Sequence, residues 1–277
     1  MIKLAVMNQK GGVGKTFLAC QFAFYCALKR GLRVLVIDLD AQMNTSRVFE
    51  ESPHCAVSSV KAADMFFSAA VPEEDARLLL VAADPSLNHL ERRGETMHNK
   101  FVSNFYSALE NVKNKFDICV IDPLPGEDVR ALSALIVATH AVSPLELARE
   151  SIDGVVSLFA NIQRAKILNK SLDFIGLIPN RVENSPGQKA TFREISSQFG
   201  KLLIKNSQGH AVAVAERTAI REAQNESRPI WEGQKSTAQK TWAEVRKVMD
   251  TLAERLELPN ASSDEIDVIR EGEQDAV

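Results

Sequence analysis

The chain lacks most of what would mark a metal-cluster protein, a disulfide scaffold or a membrane protein. Four cysteines occur in 277 residues, Cys20, Cys26, Cys55 and Cys119, with no C-x-x-C pair and no metal-ligand spacing to a histidine. Cys20 and Cys26 fall on a predicted helix and Cys119 in a predicted strand, so reduced, packed thiols and a cytoplasmic location are expected. No apolar run approaches the roughly 18 residues of a membrane span, and the first residues lack the charged and apolar zones of a signal peptide. The net charge of −3 excludes a globally basic nucleic-acid binder. A local basic patch is not excluded: residues 258–277 hold six acidic side chains and one arginine, which leaves the rest of the chain at +2. Internal repeats and low-complexity segments are also absent.

What is present is the ordinary make-up of a globular protein, 45% hydrophobic and 25% charged, arranged as alternating strand and helix patterns. Short, continuous apolar runs at 2–7, 33–38, 78–83, 116–121, 140–144, 172–179 and 202–205 suit strands covered on both faces. Helical patterns at 16–30, 58–67, 87–114, 128–138, 148–165, 189–199 and 237–256 separate or follow them. This alternation predicts an α/β fold with a doubly wound, mostly parallel sheet and helices on both faces. One domain over residues 1–257 and an acidic, mobile tail over 258–277 are expected.

The first strand runs into Gln9-Lys10-Gly11-Gly12-Val13-Gly14-Lys15-Thr16. Three glycines in four positions let main-chain N–H groups turn inward around an anion, and the helix that follows adds its positive end. Lys15 then reaches the β- and γ-phosphates, and the Thr16 hydroxyl ligates Mg²⁺. Two further strands end in carboxylates, one in the cluster Asp38, Asp40, Gln42 and Asn44, the other in Asp122 before Pro123-Leu124-Pro125-Gly126. Open α/β sheets place their ligands at such strand ends. Asp38 reads equally as a site residue or as a buttress of the loop, and Gln42 and Asn44 equally as site residues or as turn and cap residues ahead of a helix.

The loop with its second lysine, Lys10, resembles the deviant Walker A motif of the ParA/MinD family of ATPases. The resemblance continues through 36–44, 116–122, 144–154, Asn180-Arg181 and 222–229, and so spans roughly residues 1–255, with the first three motifs the most specific. It implies a P-loop ATPase fold, ATP and Mg²⁺ as ligands, and Gly11, Gly12, Val13, Gly14, Lys15, Thr16 and Phe17 around the phosphates. It makes Lys10 the signature lysine that crosses a dimer interface to the partner's ATP, and Asp40 the group that positions the attacking water. Asp122 and Asp40, with Thr16, serve the metal, and Asn180 meets the adenine. Phe17, Ala41, Met43 and Pro123-Leu124 depart from the family's usual residues, which bears on the geometry of hydrolysis more than on binding.

Within the family, the membrane-positioning branch uses a basic amphipathic C-terminal helix, whereas residues 263–271 here are acidic and anionic lipid would repel them. No membrane partner is expected. With the loop ten residues from the start, neither an N-terminal winged-helix segment nor operator-specific binding is expected. The resemblance then implies a partition ATPase whose ATP-bound homodimer binds duplex DNA without sequence preference, over the nucleoid, with slow hydrolysis stimulated by a ParB-like centromere-binding adaptor. Arg217, Arg221, Arg193 and Lys189 are the candidate phosphate contacts. The alternative is a related ATPase that positions a secretion, pilus, conjugation or other polar complex.

Overall fold

Seven short, Val-, Ile- and Leu-rich segments pair side by side to form the centre of this computed structural model, which describes residues 1–148 and 150–259, with side chains omitted at 95 and 96. They are β1 (Ile2–Val6), β2 (Val34–Leu39), β3 (Ala56–Val57), β4 (Leu78–Val81), β5 (Ile118–Pro123), β6 (His140–Glu146) and β7 (Asp173–Asn180). All pair in parallel, in the order β3-β4-β2-β5-β1-β6-β7. The helices are α1 (Lys15–Phe24), α2 (Asn44–Glu50), α3 (Ala62–Ser68), α4 (Asn88–Glu91), α5 (Glu95–Val112) and α6 (Val129–Val137). They continue with α7 (Ser151–Leu168), α8 (Pro186–Phe199), α9 (Thr218–Asn225) and α10 (Ser236–Arg255).

Successive residues of a strand point to opposite faces, and here both faces are covered. Leu35, Ile37 and Leu39 join a core with α3, α5, α6 and α7, while Val34 and Val36 join one with α1 and α10. The double covering explains why the strands read as unbroken apolar runs rather than alternating ones. Cys20, Cys26 and Cys119 are buried in these cores as free thiols.

The strand β1 lies between β5 and β6, so the chain leaves it toward β2 on one side and reaches β6 from β5 on the other. That reversal opens a crevice at the carboxyl ends of β1, β2 and β5, where α/β sheets bind ligands. All three motif-bearing loops arise there.

Several expectations are corrected. Residues 202–205 are not a regular strand: they touch β7 through the isolated bridge Leu177–Leu203 and fold back on themselves through Lys205–Ala211. The cause lies in β7, where Ile175 is bulged out of register and Gly176 sits at φ +136°. A Cβ on Gly176 would stand 2.4 Å from the Leu202 carbonyl oxygen, so only glycine lets that backbone approach. The helical stretch expected over 87–114 breaks at Gly94 into α4 and α5. Neither the short edge strand β3 nor α9 was legible as an element. At the far end, Leu258 is buried in the α1/α10 core and Arg30 donates to the Leu258 and Pro259 carbonyls, so the body runs through Pro259. Residues 260–277 of the expected tail lie outside the described residues.

Candidate functional site

The loop after β1 is anchored before it turns. Asn8 donates from Nδ2 to the Pro144 carbonyl at 2.6 Å and to Ser143 Oγ at 3.1 Å, while its Oδ1 accepts the Lys10 N–H at 2.8 Å. Gly12 and Gly14 take φ of +80° and +96°, the left-handed turn that L side chains resist. No side chain caps α1, so its first N–H groups are left for a ligand. Asn180, at the end of β7, donates to the Val13 carbonyl at 2.7 Å, and a Cβ on Gly14 would fall 2.0 Å from that Asn180 nitrogen. Asn180 therefore buttresses the loop from the cleft wall at the end of β7.

At the end of β5, Asp122 is 2% exposed. Its Oδ2 accepts two hydroxyls, Thr16 at 3.0 Å and Thr45 at 2.6 Å, whereas its buried Oδ1 has no partner among the described residues. Burial pushes the Asp122 carboxyl up, against the opposing pull of Lys15 and the two hydroxyl donors. At the end of β2, Asp38 is fully buried. One oxygen accepts the Asp40 N–H at 3.0 Å and the other both the N–H and the hydroxyl of Ser46 at 2.8 Å. Burial, reinforced by Asp122, pushes Asp38 up to about 7. Of the two readings left open for Asp38, the buttress is the one its contacts describe. Asp40 itself is half-buried on the cleft wall and accepts the Gln42 N–H at 2.9 Å. Met43, at φ +59°, takes the turn ahead of α2, and Asn44 lies in its first turn.

These elements enclose a cleft of about 730 Å³. Its floor is Gly11, Gly12, Gly14, Lys15, Thr16 and Phe17, one wall carries Asp40 and Asn44, and the other carries Asn180, Arg181, Glu216 and Arg221. Lys15 is 8% exposed inside it, while Lys10 lies outside that lining with its Nζ 3.9 Å from Glu150 Oε2, both side chains substantially exposed. The donors fit a hard cation held beside phosphate: oxygen ligands from Thr16, Asp122 and Asp40, with an orphaned carboxylate oxygen among them. Among the described residues no group of three or more His, Cys, Asp or Glu could hold a metal by itself.

The four candidate DNA contacts sit on two separate elements. Lys189 and Arg193 are exposed on α8. Arg217 precedes α9 and pairs with Glu244 at 3.0 Å; Arg221, on α9, pairs with Glu216 at 3.7 Å and lines the nucleotide cleft. Thr45, Ser46, Asn8 and Glu216 were not singled out from sequence. The adjacency of Thr45-Ser46 to the acidic cluster was the available signal for the first two.

A parallel α/β sheet with a glycine-rich, lysine-bearing loop at its switch point defines a P-loop nucleotide-binding protein. Residues 1–174 match the AAA domain family. Over 267 residues the chain is 31% identical to protein IncC of Escherichia coli, covering 93% of this chain and 70% of that one. It is 28% identical to the chromosome-partitioning ATPase Soj of Thermus thermophilus, over 64% of this chain and 68% of that one. Among solved structures, a plasmid partition protein of Borrelia burgdorferi bound to AMPPNP superposes with a TM-score of 0.68, at 17% identity, over 91% of this chain and 98% of that one. The chain belongs to the ParA/MinD family of partition ATPases. Among the described residues no helix is long and apolar enough to cross a membrane.

Proposed function

We propose that the chain is a ParA-like ATPase that segregates or positions plasmid or chromosomal DNA. ATP with Mg²⁺ joins two copies, the homodimer binds duplex DNA through phosphate contacts, and a ParB-like centromere-binding adaptor accelerates a slow hydrolysis that resets the cycle. The observation that carries the reading is the division of labour between the two loop lysines. Lys15 is buried in the cleft where phosphates would lie, whereas Lys10 stands outside its lining and is held by one long, exposed ion pair. Such a pair contributes about 0–1 kcal/mol, so Lys10 is cheaply released toward a second copy. A cation supplied in trans is worth roughly 10³–10⁵ in phosphoryl-transfer rate, which ties hydrolysis to dimerisation.

Thr16 and Asp122 would hold the metal, which supplies charge neutralisation at the phosphates. Asp40 would orient the water, the loop N–H groups and Lys15 would fix the phosphates in line, and Asn180 and the wall beyond it would meet the adenine. Arg217 and Arg193 would contact DNA, with Lys189 beside Arg193 on α8. Arg221 is the weakest of the four, because its side chain lines the nucleotide cleft.

Gel-shift titrations with ATP, ADP and no nucleotide test the proposal, together with the Lys10→Ala and Lys15→Gln variants. DNA binding should require ATP and Mg²⁺, weaken steeply with salt, and fail in both variants. ATP-dependent binding that survives Lys10→Ala would sink the dimer switch. A tagged protein that localises to a pole instead of the nucleoid would sink the partition role.

A further inference from the structure

Thr45 has no part in the family motifs traced above, yet it is fully buried against the Asp122 carboxylate. Its backbone lies in the first turn of α2, but its hydroxyl does not cap that helix. The hydroxyl instead donates to Asp122 Oδ2 at 2.6 Å, and the Cys20 thiol, 3.9 Å away, donates to the hydroxyl in turn. An ionised carboxylate only accepts, so at 2.6 Å the Thr45 proton goes to Asp122, while the sulfur at 3.9 Å is a weak contact. Thr16 donates to the same oxygen at 3.0 Å. One oxygen of Asp122 therefore takes two donors and the other, itself buried, takes none among the described residues.

That asymmetry is not what packing alone would select. A buried carboxylate is stabilised by spreading its donors over both oxygens, and the terminal torsion of aspartate is broad enough to allow it. Resting on the proposed ATPase function, we propose that Thr45 is a positioning residue for the Mg²⁺ site. Its hydroxyl pins Asp122 Oδ2 so that Oδ1 stays unspent for the cation or its water. Thr16 donates to the same oxygen while its lone pairs face the proposed cation, and the shorter Thr45 bond adds a second, independent donor that fixes Oδ2. Ser46, the next residue, is tied to Asp38. The start of α2 is thus fastened to the carboxylates of two strands, with Asp40 in the span leading up to it.

The test measures the affinity of a fluorescent ATP analogue in excess Mg²⁺ and in EDTA, for wild type, Thr45→Val, Thr45→Ser and Thr45→Ala, with circular dichroism confirming the fold. Valine keeps the shape and removes the donor; serine keeps the donor. The expected result is a gain in affinity on adding Mg²⁺ that is about tenfold smaller in Thr45→Val and Thr45→Ala than in wild type, restored in Thr45→Ser, with affinity in EDTA unchanged. A merely structural residue would lower both affinities together, and that outcome overturns the inference. So does a Mg²⁺ gain left intact in Thr45→Val or, should that variant not fold, in Thr45→Ala. A wild-type protein whose affinity ignores Mg²⁺ would overturn the ATPase reading and this inference with it.

Discussion

Ser46 donates both its main-chain N–H and its hydroxyl to a single oxygen of Asp38, each at 2.8 Å, while the other oxygen holds the N–H of Asp40. Three donors on a fully buried carboxylate fold the chain between the end of β2 and α2 into one fixed loop. Asp40 is presented to the cleft by that loop.

This burial has a pH signature. The folded-state value of about 7 lies above the ordinary carboxylate value, so the native state holds a proton that the unfolded chain releases between about pH 4 and 7. The stabilising contribution is therefore fully present below about pH 4 and lost as pH rises through 7. In metal-free protein, urea midpoints of wild type relative to Asp38→Asn should fall steadily over that window and level off above it. A difference that rises with pH would contradict the assignment.

Gly14 and Asn180 form a second interlocked pair. With φ at +96° and a virtual Cβ 2.0 Å from the Asn180 amide nitrogen, Gly14→Ala should displace Asn180 and reduce nucleotide affinity at least about 100-fold. Asn180→Ala strands the Val13 carbonyl, and should lower the stability of nucleotide-free protein by about 1–3 kcal/mol in denaturant titrations. A residue that met adenine alone would leave that nucleotide-free stability unmoved.

Gln21 lies two turns into the helix that starts at Lys15. Its Nε2 donates to the Arg228 carbonyl at 3.1 Å and its Oε1 accepts the Ile230 N–H at 3.0 Å, clamping the chain that follows α9. Gln21→Leu leaves both main-chain groups unpaired, so a loss of roughly 2–4 kcal/mol is expected. Hydrogen exchange at the Ile230 amide should accelerate in parallel.

Arg217 is engaged by Glu244, at 3.0 Å on the surface, where an ion pair is worth about 0–1 kcal/mol. If Arg217 meets a phosphate, Glu244→Gln should strengthen ATP-dependent DNA binding a few-fold by freeing it. Arg217→Ala should weaken binding across all sequences and reduce the salt slope by about one. Filter binding over a salt series reads both.

Much of the site was legible along the chain. The strands β1, β2 and β5 showed as unbroken apolar runs, and their polar ends coincide with the loop, Asp38-Asp40 and Asp122. Local chemistry marks each of these: glycines where φ must be positive, carboxylates where a strand stops. The misreadings fall where local pattern and long-range pairing part company. Residues 202–205 look like a strand but pair with β7 at only one point past its bulge, and α9 is only eight residues long with Ile220 its one large apolar side chain, too short a stretch to stand out.

The alternating α/β order, the parallel double-covered sheet and the phosphate-binding loop are written along the chain, because each follows from the spacing of neighbouring residues. That Thr45 meets Asp122, Gln21 clamps Arg228 and Asn180 holds Val13 is visible in the fold alone. Those partners lie 77, 207 and 167 positions apart, and a hydrogen bond selects them only after the sheet has closed the distance.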